Sequence, residues 1–396
     1  MAKINISNRV KNLKQSGIRA ASMRCAELNG INLGQGVCDL PIRDEIKQAA
    51  IKAIDHDKSL YSACEGIAPL REKLASKINK FNKIPVSIEN ILVTHGATGA
   101  FYTAITALFE PGDEVILFEP FYGYHKHLLQ LHNINVKAVK INMQDLSFDF
   151  AELEAAVTNK TRAILICTPC NPAGKVFSKQ ELLHIGKLAE QHDFIVMTDE
   201  IYEYITYPGY THTSIASLEN FKERTLTLSG FSKTYNMTGW RLGYVSGPEK
   251  IIERMALVQD LVYICPSTPM QHAVLAALDL PETYYTDMAD LYLKKRDKVV
   301  SSLQDMGFKI TSPQGAYYLL ADFSELGFED DVAAASFLME TAKVATVNGR
   351  SFYTDPEDGK YILRFCYAMS EEKLDKAMEQ MQAALSSRVV KAKTKA

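Results

Sequence analysis

The densest run of reactive side chains in the sequence is Ser229-Gly230-Phe231-Ser232-Lys233, with Arg241 eight residues beyond the lysine. A primary amine can attack a carbonyl carbon and form a Schiff base, and a guanidinium fork binds two oxygens of a phosphate or carboxylate. Asp199-Glu200-Ile201-Tyr202 ends another apolar run and places a carboxylate where burial demands a cationic or hydrogen-bonding partner. His95-Gly96-Ala97-Thr98-Gly99 is a string of small residues opening a helix. Its free backbone N–H groups and positive dipole end suit a phosphate, although a plain glycine turn reads the same way. Tyr122 follows Glu119-Pro120-Phe121 and can stack on a planar ring or simply pack in the core. Asn171 offers an amide between Pro169 and Pro172, beside a Cys167-x-x-Cys170 spacing. No second cysteine or histidine pair stands at metal-ligand spacing, so neither zinc nor redox chemistry is expected there.

These residues sit in loops that follow short apolar runs. From about residue 88 the chain alternates such runs (91–94, 114–118, 163–167, 194–198, 225–228 and 241–246) with helical patterns such as 178–192 and 268–277. That alternation predicts an α/β fold with a mostly parallel sheet covered by helices. After about 285 the pattern changes to a long charged helix (292–306), strands at 308–310 and 317–323, another helix and a strand at 362–366, which predicts a smaller α+β domain. The expected division is residues 1–45 as an arm with part of the small domain, 46–284 as the large domain and 285–396 as the rest of the small one. In an open α/β sheet ligands bind beyond the carboxyl ends of the strands, so the loops above converge on one site. Together they supply the parts for one cofactor. A lysine amine bonds it, an aspartate keeps a pyridine nitrogen protonated, and arginine, hydroxyl and helix-terminus groups hold a phosphate.

Composition narrows the alternatives. The chain has 396 residues, 47% of them hydrophobic, and a net charge of -3 that gives no electrostatic case for nucleic acid as a partner. No stretch approaches a transmembrane span or a secretory leader, which predicts no membrane partner. Seven scattered cysteines suggest reduced thiols and a cytoplasmic setting.

At Asp199-x-x-Tyr202 and Ser232-Lys233 through Arg241 the sequence resembles the class I/II aminotransferases of the aspartate aminotransferase fold, pyridoxal-phosphate fold type I. The likeness spans nearly the whole chain, from Leu33-Gly34-Gln35-Gly36 through Asn171-Pro172-x-Gly174 to Leu363-Arg364. It implies pyridoxal 5'-phosphate as cofactor, held as a Schiff base on Lys233, which also serves as the base for proton transfer. It further implies Asp199 at the pyridinium nitrogen, Asn171 and Tyr202 at the phenolic oxygen, and Tyr122 stacked on the ring. Ala97, Thr98, Ser232 (or Ser229) and Arg241 would bind the phosphate, Gly36 would leave room for substrate, and Arg364 would clamp its α-carboxylate. Tyr61 matches a tyrosine that relatives extend into the neighbouring subunit's phosphate site, which implies a homodimer with shared active sites.

Gly230, Cys38 and Asn348 depart from common relatives, and none of these removes a reacting group. The implied activity is transfer of an amino group between an L-amino acid and a 2-oxo acid in two half-reactions. The closest look is to methionine, kynurenine and glutamine aminotransferases, because Gly96-Ala97-Thr98-Gly99-Ala100 lacks the lysine that some aspartate-preferring relatives place there. Methionine, glutamine or aromatic donors are therefore expected, with Arg24 and Lys126 as cations of unknown placement. The alternatives are an aspartate or alanine aminotransferase, a C–S lyase on the same fold, and a sensor domain fused to a DNA-binding module. For the last, no helix-turn-helix extension is expected.

Overall fold

A computed structural model describes residues 5–11, 17–36 and 38–395. Its main sheet has strands β1 (Ile91–Thr94), β2 (Glu114–Glu119), β3 (Asn135–Lys140), β4 (Thr161–Cys167), β5 (Ile195–Asp199), β6 (Thr225–Gly230) and β7 (Gly243–Ser246). They lie in the order β1-β7-β6-β5-β4-β2-β3, parallel except that β7 runs antiparallel to both its neighbours. Side chains alternate across a strand, and the two faces of β4 separate cleanly. Ile164 and Ile166 pack with Leu182, Ile185 and Ala189 of the helix Lys179–Gln191, whereas Ala163 and Leu165 pack with Phe101 and Ala104 on the other side. Helices on both faces are the reason β1, β2, β6 and β7 are buried throughout, even where Thr225, Thr227 and Ser229 alternate with leucine in β6. The edge strand β3 escapes that pattern: Asn135, Lys137 and Lys140 leave it without an apolar run.

The helices that matter for the site are α1 (Gly17–Glu27), α2 (Gly96–Leu108), α3 (Gly123–Leu131), α4 (Glu249–Tyr263) and α5 (Glu282–Asp305). Pro281 and Glu282 start α5 earlier than the charge pattern alone suggested. The expected strand at 308–310 is reduced to a single bridge between Lys309 and Asp322, since Pro313 soon removes the N–H that a longer ladder needs. Likewise the run 241–246 enters the sheet only at Gly243, because Arg241 adopts a left-handed backbone with φ of 56°.

A second sheet of three antiparallel strands, β8 (Tyr318–Asp322), β9 (Val347–Asn348) and β10 (Ile362–Cys366), is ordered β9-β10-β8. Leu363 and Phe365 of β10 join a core with Val299 and Leu303 of α5 and with Leu374 and Met378 of the C-terminal helix. The alternation turns Arg364, between them, to the opposite face. Ile31 and Asn32 pair with Val344 and Ala345, which carries the turn at 32–36 to the same place.

Candidate active site

Five elements end at one cavity of about 500 Å³. The loop after β6 brings Ser232 and Lys233, β5 ends in Asp199 with Tyr202 just beyond, and β4 leads to Asn171. The start of α2 contributes Ala97 and Thr98, and Tyr122 stands at the cap of α3. Gly36, Arg241 and Arg364 complete the wall. Of the residues assigned roles in the sequence, Tyr61 and Ser229 lie outside the cavity wall, Tyr61 being 80% exposed on the surface. Ser232 faces the cavity, while the Ser229 hydroxyl is engaged with Glu203 at 3.1 Å.

Among the described residues no anion lies in hydrogen-bond reach of the Lys233 ammonium, whose Nζ donates to the Gly36 carbonyl at 2.9 Å. Burial pulls this amine down to about 8; Cys366 opposes it, the guanidinium groups of Arg364 and Arg241 add to it, and Asp199 opposes it least. An amine so placed is poised to lose its proton near neutral pH and act as nucleophile or base. Arg364 is 1% exposed, with Nη1 donating to Asn171 Oδ1 at 2.8 Å and Nη2 to the Gly34 carbonyl at 2.5 Å. Its Nε has no hydrogen-bond partner among the described residues, and the guanidinium lies over the rings of Tyr318 and Phe352 at 4.6 and 5.1 Å. Among the described residues no carboxylate pairs with it. A buried guanidinium without an anion is costly, and a planar carboxylate is the ligand its fork fits.

Asp199 accepts from the Ile201 backbone N–H at 3.3 Å and lies 3.2 Å from His125 Nε2. His125 thus supplies the partner that a buried carboxylate requires. Sequence reasoning missed it, although its signal was present: it falls one helical turn after Tyr122, on the same face of α3. At the other end, α2 begins without a side-chain cap, leaving its first N–H groups for an anion. A methyl group added at Gly96 would lie 2.7 Å from Arg241 Nη2, and one at Gly243 would lie 2.5 Å from the Gly96 carbonyl carbon. Glycine at both positions therefore lets the guanidinium and the helix start approach together. This donor set fits a phosphate at one end, and Asp199 fits a cationic ring nitrogen at the other. Gly36 is required by Tyr318, whose hydroxyl would be 1.6 Å from an added Cβ. The same hydroxyl accepts from Tyr202 at 3.1 Å.

Behind β5 lies a second polar cluster, in which ligand atoms of Glu200, Glu203 and His212 converge within 4.8 Å of one another. Lys77 supplies their cation. Its Nζ donates to Glu203 Oε1 at 2.5 Å, Asn82 Oδ1 at 2.9 Å and the Tyr244 hydroxyl at 3.0 Å.

The profile of the family "Aminotransferase class I and II" matches residues 29–381. The aspartate aminotransferase of Pyrococcus abyssi is 36% identical over 359 residues, covering 90% of this chain and 91% of that one. Human kynurenine–oxoglutarate transaminase 1 is 32% identical over 90% of this chain and 93% of its own. The solved N-succinyldiaminopimelate aminotransferase of Mycobacterium tuberculosis superposes with a TM-score of 0.93 at 29% identity, covering 96% of this chain and 100% of that one. The chain belongs to the class I and II aminotransferases. It has their aspartate aminotransferase fold and is a transferase of amino groups, in a family that works with pyridoxal 5'-phosphate. No helix among the described residues is long and apolar enough to cross a membrane.

Proposed function

We propose that this chain binds pyridoxal 5'-phosphate through Lys233 and transfers amino groups between L-amino acids and 2-oxo acids in this cavity. The observation that carries the reading is the meeting of a lysine amine lowered to about 8 with the uncompensated guanidinium of Arg364 in one wall. When bound, the cofactor supplies an electron sink for charge developing at the substrate Cα. Asp199, held by His125, would keep the ring nitrogen protonated. Ala97, Thr98, Ser232 and Arg241 would hold the phosphate, with Tyr122 against the ring. Asn171 accepts from Arg364 through its oxygen, which leaves its NH2 end to donate to the phenolic oxygen, and the Tyr202 hydroxyl would join it by turning its proton away from Tyr318. Arg364 would orient the α-carboxylate so that the Cα proton faces Lys233, whose amine would serve as the base that takes and holds that proton.

Phe101, Tyr124 and Leu128 give the cavity an apolar flank, and Gly96 to Ala100 bring no cation. Neutral donors such as methionine, glutamine or aromatic amino acids suit that flank better than aspartate, whose second carboxylate would be desolvated. A homodimer with Tyr61 reaching the partner's phosphate site is supported by exposed apolar groups around it. Leu60 is 82% and Leu261 87% exposed, and Gln259 of α4 is tied to the Cys64 carbonyl. Unpaired cysteines suit a reducing compartment, the cytoplasm.

Methionine added to the cofactor-loaded enzyme without an acceptor should release one equivalent of 2-oxo acid per site, with no ammonia or thiol, and light scattering should give twice the 44.2 kDa chain mass. Catalytic release of ammonia or thiol would replace the transfer reading with a lyase, and a strict monomer would reject shared sites.

A further inference from the structure

Two nucleophilic side chains beside the cavity have no part in the chemistry above. Cys167 closes β4, and Cys170 lies in the turn that follows, next to Asn171. A metal site at this spacing would need a second pair of ligands, whereas a disulfide needs only these two sulfurs. The fold brings both to one place: they line a void of about 10 Å³ together with Tyr122, His125 and Phe177. That is room for about one water-sized molecule. Cys167, Tyr122 and His125 line the main cavity as well, so the void adjoins it.

The two thiols are hydrogen-bonded to each other. Cys167 Sγ also accepts the Asn171 backbone N–H at 3.5 Å and lies 3.7 Å from the Pro169 carbonyl. The loop is thus curled around one sulfur with the other against it. Cys170 is 3% exposed, its N–H donating to the Lys175 carbonyl at 2.8 Å and its carbonyl accepting from the Gly174 N–H at 2.9 Å. The hydrogen bond from Cys167 holds the Cys170 thiol below its ordinary value; burial opposes it, the Ala173 backbone and Lys175 add to it, and Asp199 opposes it least. That same hydrogen bond, with burial, holds the Cys167 thiol well above its own. One sulfur is thereby set to attack and the other to resolve.

We infer that Cys167 and Cys170 form a reversible disulfide when a peroxide enters the void, and that this bond loosens the carboxylate clamp. The effect on turnover rests on the transamination reading above; the bond itself does not. The Cys170 thiolate attacks one peroxide oxygen, the O–O bond breaks, and the departing hydroxide takes up the proton that the thiol gave, leaving a sulfenic acid and one water. The Cys167 sulfur then attacks the Cys170 sulfur, the S–O bond breaks, and the Cys167 proton leaves with that hydroxide as a second water. Two electrons pass from the sulfurs to the peroxide. The new bond draws Cys167 Sγ off the Asn171 N–H, and Asn171 Oδ1 is the partner of Arg364 Nη1. Without that hold the guanidinium fork loses its fixed orientation toward an α-carboxylate.

The test treats the cofactor-loaded protein with hydrogen peroxide and reads it by mass and peptide mapping. The chain should become about 2 Da lighter, with the bridge between Cys167 and Cys170, and dithiothreitol should restore it. The KM for methionine should rise about tenfold or more while kcat changes less. Calorimetric binding of pentanoate, which carries one carboxylate and no amino group, should weaken in step. Cys170→Ala and Cys170→Ser should keep wild-type turnover and hold both values after the same treatment. No bridge between these two residues, a sulfinic acid in its place, or a bridge that leaves KM and pentanoate binding unchanged would overturn the inference. A wild type that forms the bridge and loses pentanoate binding, yet moves no amino group before treatment, would overturn the transamination reading and leave the dithiol pair standing.

Discussion

Two half-buried lysines, Lys77 and Lys233, are pushed in opposite directions by their surroundings. Burial disfavours the ammonium of both. At Lys77 that effect is outweighed by Glu203, with Tyr244 and Tyr204 adding to it, so the amine is held above its ordinary range. Glu203 is in turn held below the usual carboxylate range by Lys77 and His212 against its own burial. At Lys233 burial wins, helped by two guanidinium groups, and the amine falls to about 8. The contrast separates buried charge that closes on itself from buried charge left open for a ligand. In the Lys77 cluster Asn82 spans Glu203 and Ser214, and Glu200 takes Thr198, Ser214 and His212. In the cavity, Lys233 and Arg364 have backbone carbonyls and one amide oxygen for company.

The largest expected effect of breaking this contrast is a swap of phenotypes. Lys233→Ala should lower turnover by about 10⁴-fold or more and leave the urea midpoint of the cofactor-free protein unchanged. Lys77→Met should keep most turnover per folded molecule but lose about 3–5 kcal/mol of stability, because Glu203 is left buried and unpaired. A destabilised Lys233→Ala with normal turnover, or an unaffected Lys77→Met, breaks the distinction. Next comes Arg364→Leu. It should cost roughly 2–5 kcal/mol in transition-state binding of amino acids, read as kcat/KM, without lowering stability in urea, since it removes a charge that the free protein does not neutralise. A large loss of stability would mean that Arg364 is a structural ion after all.

The smallest effect sharpens the comparison by pH. A protonated amine has no lone pair, so covalent recombination of the cofactor-free protein with pyridoxal phosphate should follow the neutral fraction of Lys233. With the amine at about 8, that fraction is about a tenth at pH 7 and a half at pH 8. The rate should therefore rise about fivefold over that interval and level off above pH 9. A midpoint near the ordinary lysine value would show that the amine is not depressed.

Much of this was legible in the sequence because the reacting groups follow buried strands, whose apolar runs are hard to miss. β1 and β10 run at 91–94 and 362–366 as expected, and the loops between strands delivered Asp199, Asn171 and Lys233 to one cavity. What escaped lacked such a frame. β3 is a polar edge, His125 lies inside a helix, and the turn at 32–36 reaches the cavity through long-range pairing of Asn32 with Ala345. Long-range contacts of that kind leave no local period to read. The turn of Arg241 into the left-handed region was hidden for a related reason, being set by its approach to Gly96.

The fit of Gly36 beneath Tyr318 also bears on how this site can change by single substitutions. An alanine methyl at 36 would lie 1.6 Å from the Tyr318 hydroxyl and 2.6 Å from the ring carbon that carries it, so removing the hydroxyl alone does not make room. Only after the ring at 318 has been replaced by a short side chain is the door at 36 open. The order of events is thus fixed: a lineage or a directed-evolution campaign reaches a side chain at 36 through position 318, and Gly36→Ala taken first is a dead end. Libraries that vary 36 and 318 together should recover pairs that libraries varying either one alone never contain.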